Sequence, residues 1–380
     1  MTLVAAGAAV LDGRVCRPGW VQTSGTRLLA CGSGAPPHQA DADFPDGVVI
    51  PGFVDVHVHG GGGASYTSGI AADISRAAGF HLRHGTTTTM ASLLTASPEE
   101  LIGAVRGLAD MARRGAIAGI HLEGPWLSPT RCGAHDQTKL RDPDLAEVDA
   151  VLAAGQGAIR MVTLAPERCG ASAAIEHFLD AGVVVALGHT DATYQQTRRA
   201  IALGATLGTH LFNGMRPWHH REPGPALALL EDPRVTVELI ADGIHLHPAV
   251  VHRVIDTAGS ARVALITDAS PAAGMPDGSL RFGALDVDVV CGVARVRGTS
   301  TIAGSTVTMD QLFRTAVQRP GPTTDRALAD AVEMTSTTPA RTLRLHQVGA
   351  LRPGLNADLV VLDSDLRIAA IMAGGDWQPT

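Results

Sequence analysis

Short apolar runs alternate with longer segments rich in alanine and leucine from about residue 48 onward. Each run has the length of a buried strand and ends in polar residues, whereas each longer segment has the length of a helix. The eight runs are VVIPGFVDVHVH (48–59), TTTTMASLLTA (86–96), IAGIHLEGP (117–125), IRMVTLAPE (159–167), VVVALGHT (183–190), ATLGTHLFN (205–213), TVELIADGIH (236–245) and VALITDAS (263–270). Eight strand–helix units predict a (β/α)₈ barrel.

The segments between the runs predict the helices of this barrel. Their ranges are 70–84, 97–114, 171–181, 191–203 and 247–258, with two further helices near 306–318 and 325–336. Ser97 and Pro98 indicate the start of one helix, because serine can cap a helix and proline suits its first turn. After the eighth run, LRFGALDVDVV and ARVRG predict a hairpin insertion.

The two ends of the chain have a different pattern. Residues 1–50 contain short strand-like runs broken by turns, and the tail from about residue 345 returns to strands. We expect the tail to pair with the N-terminal strands. The sequence therefore predicts a small β-sandwich domain formed by residues 1–50 plus 345–380, and a barrel formed by residues 51–344.

Composition and charge narrow the class of protein. Hydrophobic residues make up 45% of the 380 residues and charged residues 18%, which predicts a well-buried globular core. The formal net charge of -7, without a basic patch, argues against nucleic-acid binding. Five scattered cysteines without a CxxC pair indicate a reducing compartment, and no signal peptide or long apolar run is recognisable. We therefore expect a cytoplasmic protein that does not contact a membrane.

Histidines and carboxylates stand at the ends of the predicted barrel strands. In PGFVDVHVHGGGG, strand alternation would place His57 and His59 on one face. Because the C-terminal ends of barrel strands meet on one face, polar residues from several runs are expected to converge over one cavity. These residues are His57, His59, Glu123, His189, His210, Asp242, His245 and Asp268.

Four imidazoles and two carboxylates of this set are donors typical of Zn²⁺, Fe²⁺ or a similar divalent ion. Such an ion lowers the pKa of bound water and polarises a carbonyl, while a spare carboxylate can move the proton. Any one of these histidines could instead be a hydrogen-bonded structural residue. The occurrence of the whole set at strand ends favours a metal-dependent hydrolase.

The same stretches resemble the N-acetylglucosamine-6-phosphate deacetylase family of the amidohydrolase superfamily. The matching segments lie between residues 51 and 363 and include PGFVDVHVHG, HLEGPWLSPTRCGAH, LGHTDAT, THLFNGM, REPG, ADGIH, LITDA, TIAGSTVTM and LRPGLNADLVVLD. The resemblance implies hydrolysis of N-acetyl-D-glucosamine-6-phosphate to D-glucosamine-6-phosphate and acetate, in amino-sugar catabolism and recycling. It also implies a homodimer in which a neighbouring subunit can contribute the phosphate contact.

The resemblance assigns roles to individual residues. The metal ligands it implies are Glu123, His189 and His210, and His57, His59 and Asp268 are available for a second ion, so one or two ions per chain are expected. Asp268 is the implied catalytic acid and base, and we expect His245 to help hold the oxyanion. The expected substrate contacts are Ala134, His135, Asn213, Gly214, Arg221, Asp242, Gly243, Ile244, His245, Ile302, Ala303 and Gly304.

The scarcity of lysine bears on the bridging ligand. Many amidohydrolases bridge two metal ions with a carboxylated lysine at a strand end, but the only lysine here, Lys139, lies in a polar stretch beyond Glu123. Glu123 is therefore the better candidate for a bridge. This argues against the dihydroorotase and hydantoinase types and agrees with the deacetylase group.

Two alternatives stay open at this point. Another amidohydrolase, such as a D-aminoacylase or an adenine deaminase, would use the same ligands on an unphosphorylated substrate. Arg221 separates these possibilities, because a guanidinium binds phosphate through paired charge-assisted hydrogen bonds. The second alternative is a metal-free barrel that acts as an assembly or regulatory subunit, and the complete donor set argues against it.

Overall fold

The structure is a computed structural model that describes residues 1–321 and 324–379. The chain forms two compact units. One consists of Met1–Asp55, His81–Thr88 and Thr308–Thr380, and the other of Val56–Phe80 and Thr89–Val307. No helix among the described residues is both long enough and apolar enough to span a bilayer.

The eight apolar runs contribute the eight strands of a (β/α)₈ barrel, which confirms the predicted fold. In chain order, the barrel strands are Phe53–Asp55, Thr86–Leu93, Gly119–Glu123, Ile159–Leu164, Val184–Leu187, Leu207–Gly208, Thr236–Leu239 and Val263–Leu265. Each strand is shorter than its run, because the polar residues at the C-terminal ends leave the ladder and form loops. Backbone hydrogen bonds of 2.9 Å, from Asp268 N to His57 O and from His59 N to Ala269 O, join the segments that follow the first and eighth strands.

The first apolar run is divided between two sheets. Its beginning belongs to the strand Ala42–Pro51, which pairs with strands from the chain ends, and only Phe53–Asp55 is a barrel strand. The prediction that His57 and His59 lie on a strand is therefore wrong. Both follow the strand, and the backbone bonds to Asp268 and Ala269 hold them in place. Their side chains still meet, with 3.2 Å between the two Nε2 atoms.

Helices follow most of the barrel strands. The α-helices are Ala71–Arg83, Pro98–Arg113, Leu145–Gly155, Ala171–Asp180, Tyr194–Leu203, Gly224–Glu231, Pro248–Ala258, Met309–Val317, Thr324–Val332 and Thr338–Thr342, and the last two are joined by a π-helical turn, Glu333–Thr337. The predicted helices are all present. At the start of the second, Ser97 Oγ accepts a hydrogen bond from Glu100 N, and the Glu100 side chain accepts one from Ser97 N.

Both ends of the chain contribute to one eight-stranded sheet. Its strands are Thr2–Leu11, Arg14–Cys16, Gly19–Ser24, Arg27–Ser33, Ala42–Pro51, Leu359–Leu362, Ile368–Ala373 and Asp376–Trp377. The tail pairs with the N-terminal strands as expected, since Leu359–Leu362 runs antiparallel to Ala42–Pro51. Buried side chains such as Val4, Val21 and Val49 form its core together with the apolar residues of the tail.

The insertion after the eighth strand is a three-stranded antiparallel sheet rather than a simple hairpin. Its strands are Gly278–Phe282, Leu285–Val290 and Val293–Val296. Phe282, Val287 and Val289 pack in a small core together with Ala134 and Ala303. The insertion thereby lies against two loops that the sequence had assigned to substrate binding. A separate two-stranded sheet joins Gly60–Gly61 to Ala64–Ser65.

Candidate metal centre

Four histidines of the predicted ligand set contact Glu123, the last residue of the third barrel strand. Glu123 Oε1 lies 3.0 Å from His210 Nε2, 3.2 Å from His189 Nε2 and 3.4 Å from His57 Nε2, and Oε2 lies 3.1 Å from His59 Nε2. The residues form two triads, His57–His59–Glu123 and Glu123–His189–His210, and within each triad the ligand atoms lie within 4.8 Å of one another. Ligands about 2.1 Å from a tetrahedral ion lie about 3.4 Å apart, so each triad fits a divalent ion.

Left-handed backbone conformations direct three of the polar residues towards this centre. The φ angles are 45° at His189, 27° at His210 and 47° at Asp268. Residues other than glycine rarely adopt such angles, and strained residues cluster at functional sites. Close packing also demands a glycine beside His189, because a Cβ added to Gly214 would lie 2.7 Å from His189 Nδ1. The local backbone is thus built around these side chains.

Main-chain carbonyl groups fix the tautomers of two of the imidazoles. His59 Nδ1 donates to Ser92 O at 3.2 Å, and His189 Nδ1 donates to Arg131 O at 2.8 Å. Because a carbonyl oxygen can only accept, the proton of each neutral ring lies on Nδ1. The lone pair of Nε2 then points to Glu123, which is the arrangement that a metal ligand requires.

Asp268 completes the charged cluster. Its Oδ1 lies 3.2 Å from His59 Nε2 and 3.5 Å from His57 Nε2. Burial opposes ionisation, but the two imidazoles outweigh it and lower the pKa of Asp268 to about 2. Burial likewise opposes protonation of His57, but Glu123, Asp268 and Glu238 outweigh it and raise the pKa of His57 well above 6.5. This concentration of buried carboxylates calls for a cation.

His135 contacts the Glu123 carboxylate, although the sequence had placed it only among the substrate contacts. Thr95 N donates to His135 Nδ1 at 3.2 Å, so the proton of the neutral ring lies on Nε2. Nε2 is 3.2 Å from Glu123 Oε2 and donates to it. Burial is the main reason that the pKa of His135 is lowered to about 4. His135 is therefore a neutral donor that orients Glu123.

A cavity of about 270 Å³ opens beside the two triads. His59, His189, His210 and Asp268 lie on its wall, whereas the fully buried His57 does not. The expected substrate residues that line it are Ala134, His135, Asn213, Gly214, His245, Ile302 and Gly304. The structure adds others that the sequence did not indicate, namely Leu94, Gly133, Phe282, Ser300 and Thr301.

Five of the expected substrate residues are not on the cavity wall, namely Arg221, Asp242, Gly243, Ile244 and Ala303. Ala303 is fully buried in the core of the insertion, and Gly243 and Ile244 belong to an exposed turn. Asp242 supports this turn, since its Oδ1 accepts from the backbone N–H groups of Ile244 and His245, both at 2.9 Å. Its Oδ2 lies 2.8 Å from His245 Nδ1. Burial would lower the pKa of His245, but the Asp242 carboxylate outweighs it and raises the pKa.

Arg221 lies in an exposed loop and is not among the residues that line the cavity. Its Nη1 is 2.8 Å from His220 Nε2, and its backbone N donates to His219 Nδ1 at 3.3 Å. Glu222 accepts instead from the backbone N–H groups of Tyr194 and Gly224. The chain therefore does not bring Arg221 to its own cavity, and Arg221 is not engaged in a pair with Glu222.

Sequence reasoning missed three polar residues that contact the metal centre from the barrel interior. Glu238 Oε2 lies 3.0 Å from His57 Nδ1, and Ser92 Oγ lies 2.9 Å from His121 Nδ1. All three are fully buried. Signals were present: Glu238 is a charged residue in the middle of an apolar run, and His121 shares a strand face with Glu123.

A (β/α)₈ barrel with a buried histidine–carboxylate centre at its strand ends defines a metal-dependent hydrolase. The model of the amidohydrolase family matches residues 48–377, and the chain belongs to that family. A structure of N-acetyl-D-glucosamine-6-phosphate deacetylase from Mycobacterium smegmatis, a mutant in complex with N-acetyl-D-glucosamine-6-phosphate, is 54% identical. The match covers 99% of this chain and 98% of the chain of the Mycobacterium smegmatis relative, with a TM-score of 0.98. The resemblance found in the sequence is thereby confirmed.

Two further relatives carry different substrate names. The N-acetylgalactosamine-6-phosphate deacetylase of Escherichia coli O157:H7 is 39% identical over 333 residues, which is 86% of this chain and 87% of the relative. The N-acetylglucosamine-6-phosphate deacetylase of Bacillus subtilis is 32% identical over 381 residues, which is 97% of this chain and 95% of the relative. Relatives of this chain thus act on two sugar epimers.

Proposed function

We propose that this chain hydrolyses N-acetyl-D-glucosamine-6-phosphate to D-glucosamine-6-phosphate and acetate, in amino-sugar catabolism within the cytoplasm. The observation that carries the proposal is the pair of histidine triads that share Glu123 at the wall of a cavity. The complex of the Mycobacterium smegmatis relative with this sugar phosphate supports the choice of substrate.

The donor set fits a divalent ion such as Zn²⁺ or Fe²⁺, because imidazole nitrogens and carboxylate oxygens converge at ligand spacing. Glu123, His189 and His210 would hold one ion, and His57 and His59 would complete the site of a second. When bound, such an ion supplies an activated water and polarises the acetamide carbonyl.

The remaining chemistry falls to side chains of this chain. The Asp268 carboxylate accepts a proton from the attacking water and passes it to the departing amine. His245, which Asp242 holds towards the cavity, donates a hydrogen bond to the carbonyl oxygen as negative charge develops there. Asn213 and Gly214 line the cavity, where they contact and orient the sugar.

Arg221 is assigned to the phosphate of the substrate. Because Arg221 does not line the cavity of its own chain, we propose a homodimer in which each cavity receives this arginine from the neighbouring subunit. Trp218 and His220 are exposed in the same loop, which supports a role for the loop in contacts between chains. Substrate recognition would then require the dimer.

Acetate release tests the proposal. Metal-stripped and reconstituted protein is assayed on N-acetylglucosamine-6-phosphate, on its galacto epimer and on unphosphorylated N-acetylglucosamine. We expect metal-dependent turnover of the phosphorylated glucosamine derivative and a much smaller kcat/KM for the unphosphorylated sugar. The galacto epimer is the second candidate substrate, favoured by the 39% identical relative from Escherichia coli O157:H7. Absence of acetate release from every substrate after reconstitution would rule out the proposed function.

A further inference from the structure

Glu238 is a buried carboxylate below the metal centre. It lies in the seventh barrel strand, Thr236–Leu239, and is 0% exposed. Its Oε2 accepts a hydrogen bond from His57 Nδ1 at 3.0 Å and one from His210 N at 3.3 Å. One carboxylate oxygen therefore contacts a histidine of each triad. It contacts the imidazole ring of His57 but only the backbone of His210.

The partner of His57 differs in kind from the partners of the other imidazoles. His59 and His189 donate from Nδ1 to neutral main-chain carbonyl groups. A carboxylate is a stronger acceptor than a carbonyl group, so it increases the electron density on the imidazole and strengthens Nε2 as a ligand. Among the described residues of the two triads, it is thus His57 whose Nδ1 atom is hydrogen-bonded to a charged group.

The burial of Glu238 lowers the stability of the fold, so the presence of a carboxylate at this position needs a functional explanation. Its Oε1 is buried and has no hydrogen-bond partner among the described residues. Burying a carboxylate with incomplete hydrogen bonding opposes folding, and an apolar side chain of similar size would avoid this cost. A role at the metal centre accounts for a charged residue between the buried apolar residues Val237 and Leu239.

We propose that Glu238 is a positioning residue that fixes His57 with its Nε2 towards Glu123 and thereby sets the affinity of the triad His57–His59–Glu123 for its ion. This inference rests on the proposed metal chemistry. Loss of an acceptor to a ligating histidine typically lowers metal affinity about 10- to 100-fold. Because Glu238 contacts only the backbone of His210, the other triad should change much less.

The test is a metal titration of stripped protein with Zn²⁺ in competition with a chromophoric chelator, repeated with Co²⁺ to follow its absorption spectrum. We compare wild type with Glu238→Gln, which keeps a neutral acceptor, and Glu238→Met, which removes it. The expected result is a second-ion affinity about 10-fold lower in the glutamine variant and about 100-fold lower in the methionine variant, with the first ion within a few-fold of wild type.

Two comparisons separate positioning from general destabilisation. Asp232→Asn alters another buried carboxylate, one that pairs with Arg234 outside the metal centre, and should leave both affinities unchanged. In a His57→Gln background, Glu238→Gln should have no further effect, because the side chain through which it acts is gone. Equal affinities in wild type and Glu238→Gln, or equal weakening of both ions, would overturn the proposal.

A measurement on the wild-type protein tests the proposal even when a variant fails to fold. Nitrogen NMR of histidine-labelled, metal-stripped protein at high pH reports the tautomer of each neutral ring. We expect His57 to carry its proton on Nδ1, and a proton on Nε2 would contradict the proposal. None of these readouts requires turnover, so a failure to release acetate would count against the proposed function and not against Glu238.

Discussion

The two triads that share Glu123 are built in different ways. His57 and His59 come from one short segment, are 0% and 1% exposed, and are held by the backbone bonds that join the segments after the first and eighth strands. His189 and His210 follow two different strands, are 7% and 3% exposed, adopt left-handed backbone conformations and both line the cavity. The first triad is the inner one, and the second, the outer triad, faces the cavity.

This difference indicates that the two triads have different roles in the same centre. The outer triad presents its ligands to the cavity, so its ion would contact the reacting acetamide. The inner triad has only His59 and Glu123 on the cavity wall, and its ion would act mainly through the shared carboxylate. Substitutions of four residues should therefore reduce activity by different amounts. In order of decreasing effect, these residues are Glu123, Asp268, Arg221 and His59.

The largest effect is expected from Glu123→Gln, which removes the bridge between the triads. Both ions lose a charged ligand, and several kcal/mol of transition-state stabilisation is lost with them, so kcat should fall on the order of 10³-fold or more. Metal content per chain is measured alongside kcat. Glu100→Gln, which alters an exposed glutamate paired with Lys139, serves as the matched control. Retention of two ions by Glu123→Gln would show that the triads do not depend on a common ligand.

Asp268→Asn should have the next largest effect, because it removes the proton acceptor and leaves both triads in place. We expect a loss of kcat of about 10²-fold or more from acid–base catalysis alone. Stopped assays of acetate release are combined with metal analysis. Near-normal turnover with unchanged metal content would remove Asp268 from the proton transfer, and Asp232→Asn controls for loss of a buried carboxylate.

Arg221→Ala should reduce recognition of the phosphate without touching either triad. Each charge-assisted hydrogen bond to phosphate contributes about 1.5 to 3 kcal/mol, which corresponds to about 10- to 100-fold in kcat/KM. The preference for the phosphorylated sugar should collapse, while the unphosphorylated sugar is nearly unaffected. An equal loss on both sugars would contradict a phosphate contact. Arg234→Ala is a control in which an exposed arginine paired with Asp232 is removed.

His59→Gln should have the smallest effect on turnover, because it disturbs the inner triad alone. Three ligands suffice for a catalytic ion, so Glu123, His189 and His210 should still bind one and kcat should stay within about 10-fold of wild type. Metal titration should show fewer ions per chain than in wild type. If both proteins bind one ion with equal affinity, the inner triad is not a metal site and the contrast between the triads disappears.

The barrel and most of the candidate site followed from the alternation of apolar runs with polar strand ends. Glu123, His189 and Asp268 were recognisable because each stands near the C-terminal end of an apolar run, where the barrel geometry brings strand ends together. Glu238 was missed because it lies inside a run, where its charge is a visible signal but does not identify His57 as its partner. Single-strand periodicity carries no information about such cross-strand partners.

Loops and short helices were harder to predict. The helix Leu145–Gly155 is apolar on most of its surface and lacks a clear helical period, and Gly224–Glu231 begins with a Gly-Pro pair that reads as a turn. The position of Arg221 depends on the path of an exposed loop, which local pattern does not determine. Phe282 reaches the cavity only because the insertion packs against Ala134.

The hydrogen bonds that close the barrel have a consequence for biosynthesis. His57 and Asp268 are separated by about 200 residues, so the inner triad can be held in place only after the eighth strand has left the ribosome, and closing so long a loop costs chain entropy. All ligands of the outer triad lie in the chain up to His210. We therefore expect a nascent chain to acquire its ions in sequence, the outer one first. The ion bound last would secure the barrel against local opening and proteolysis, so metal starvation should make the barrel more prone to both.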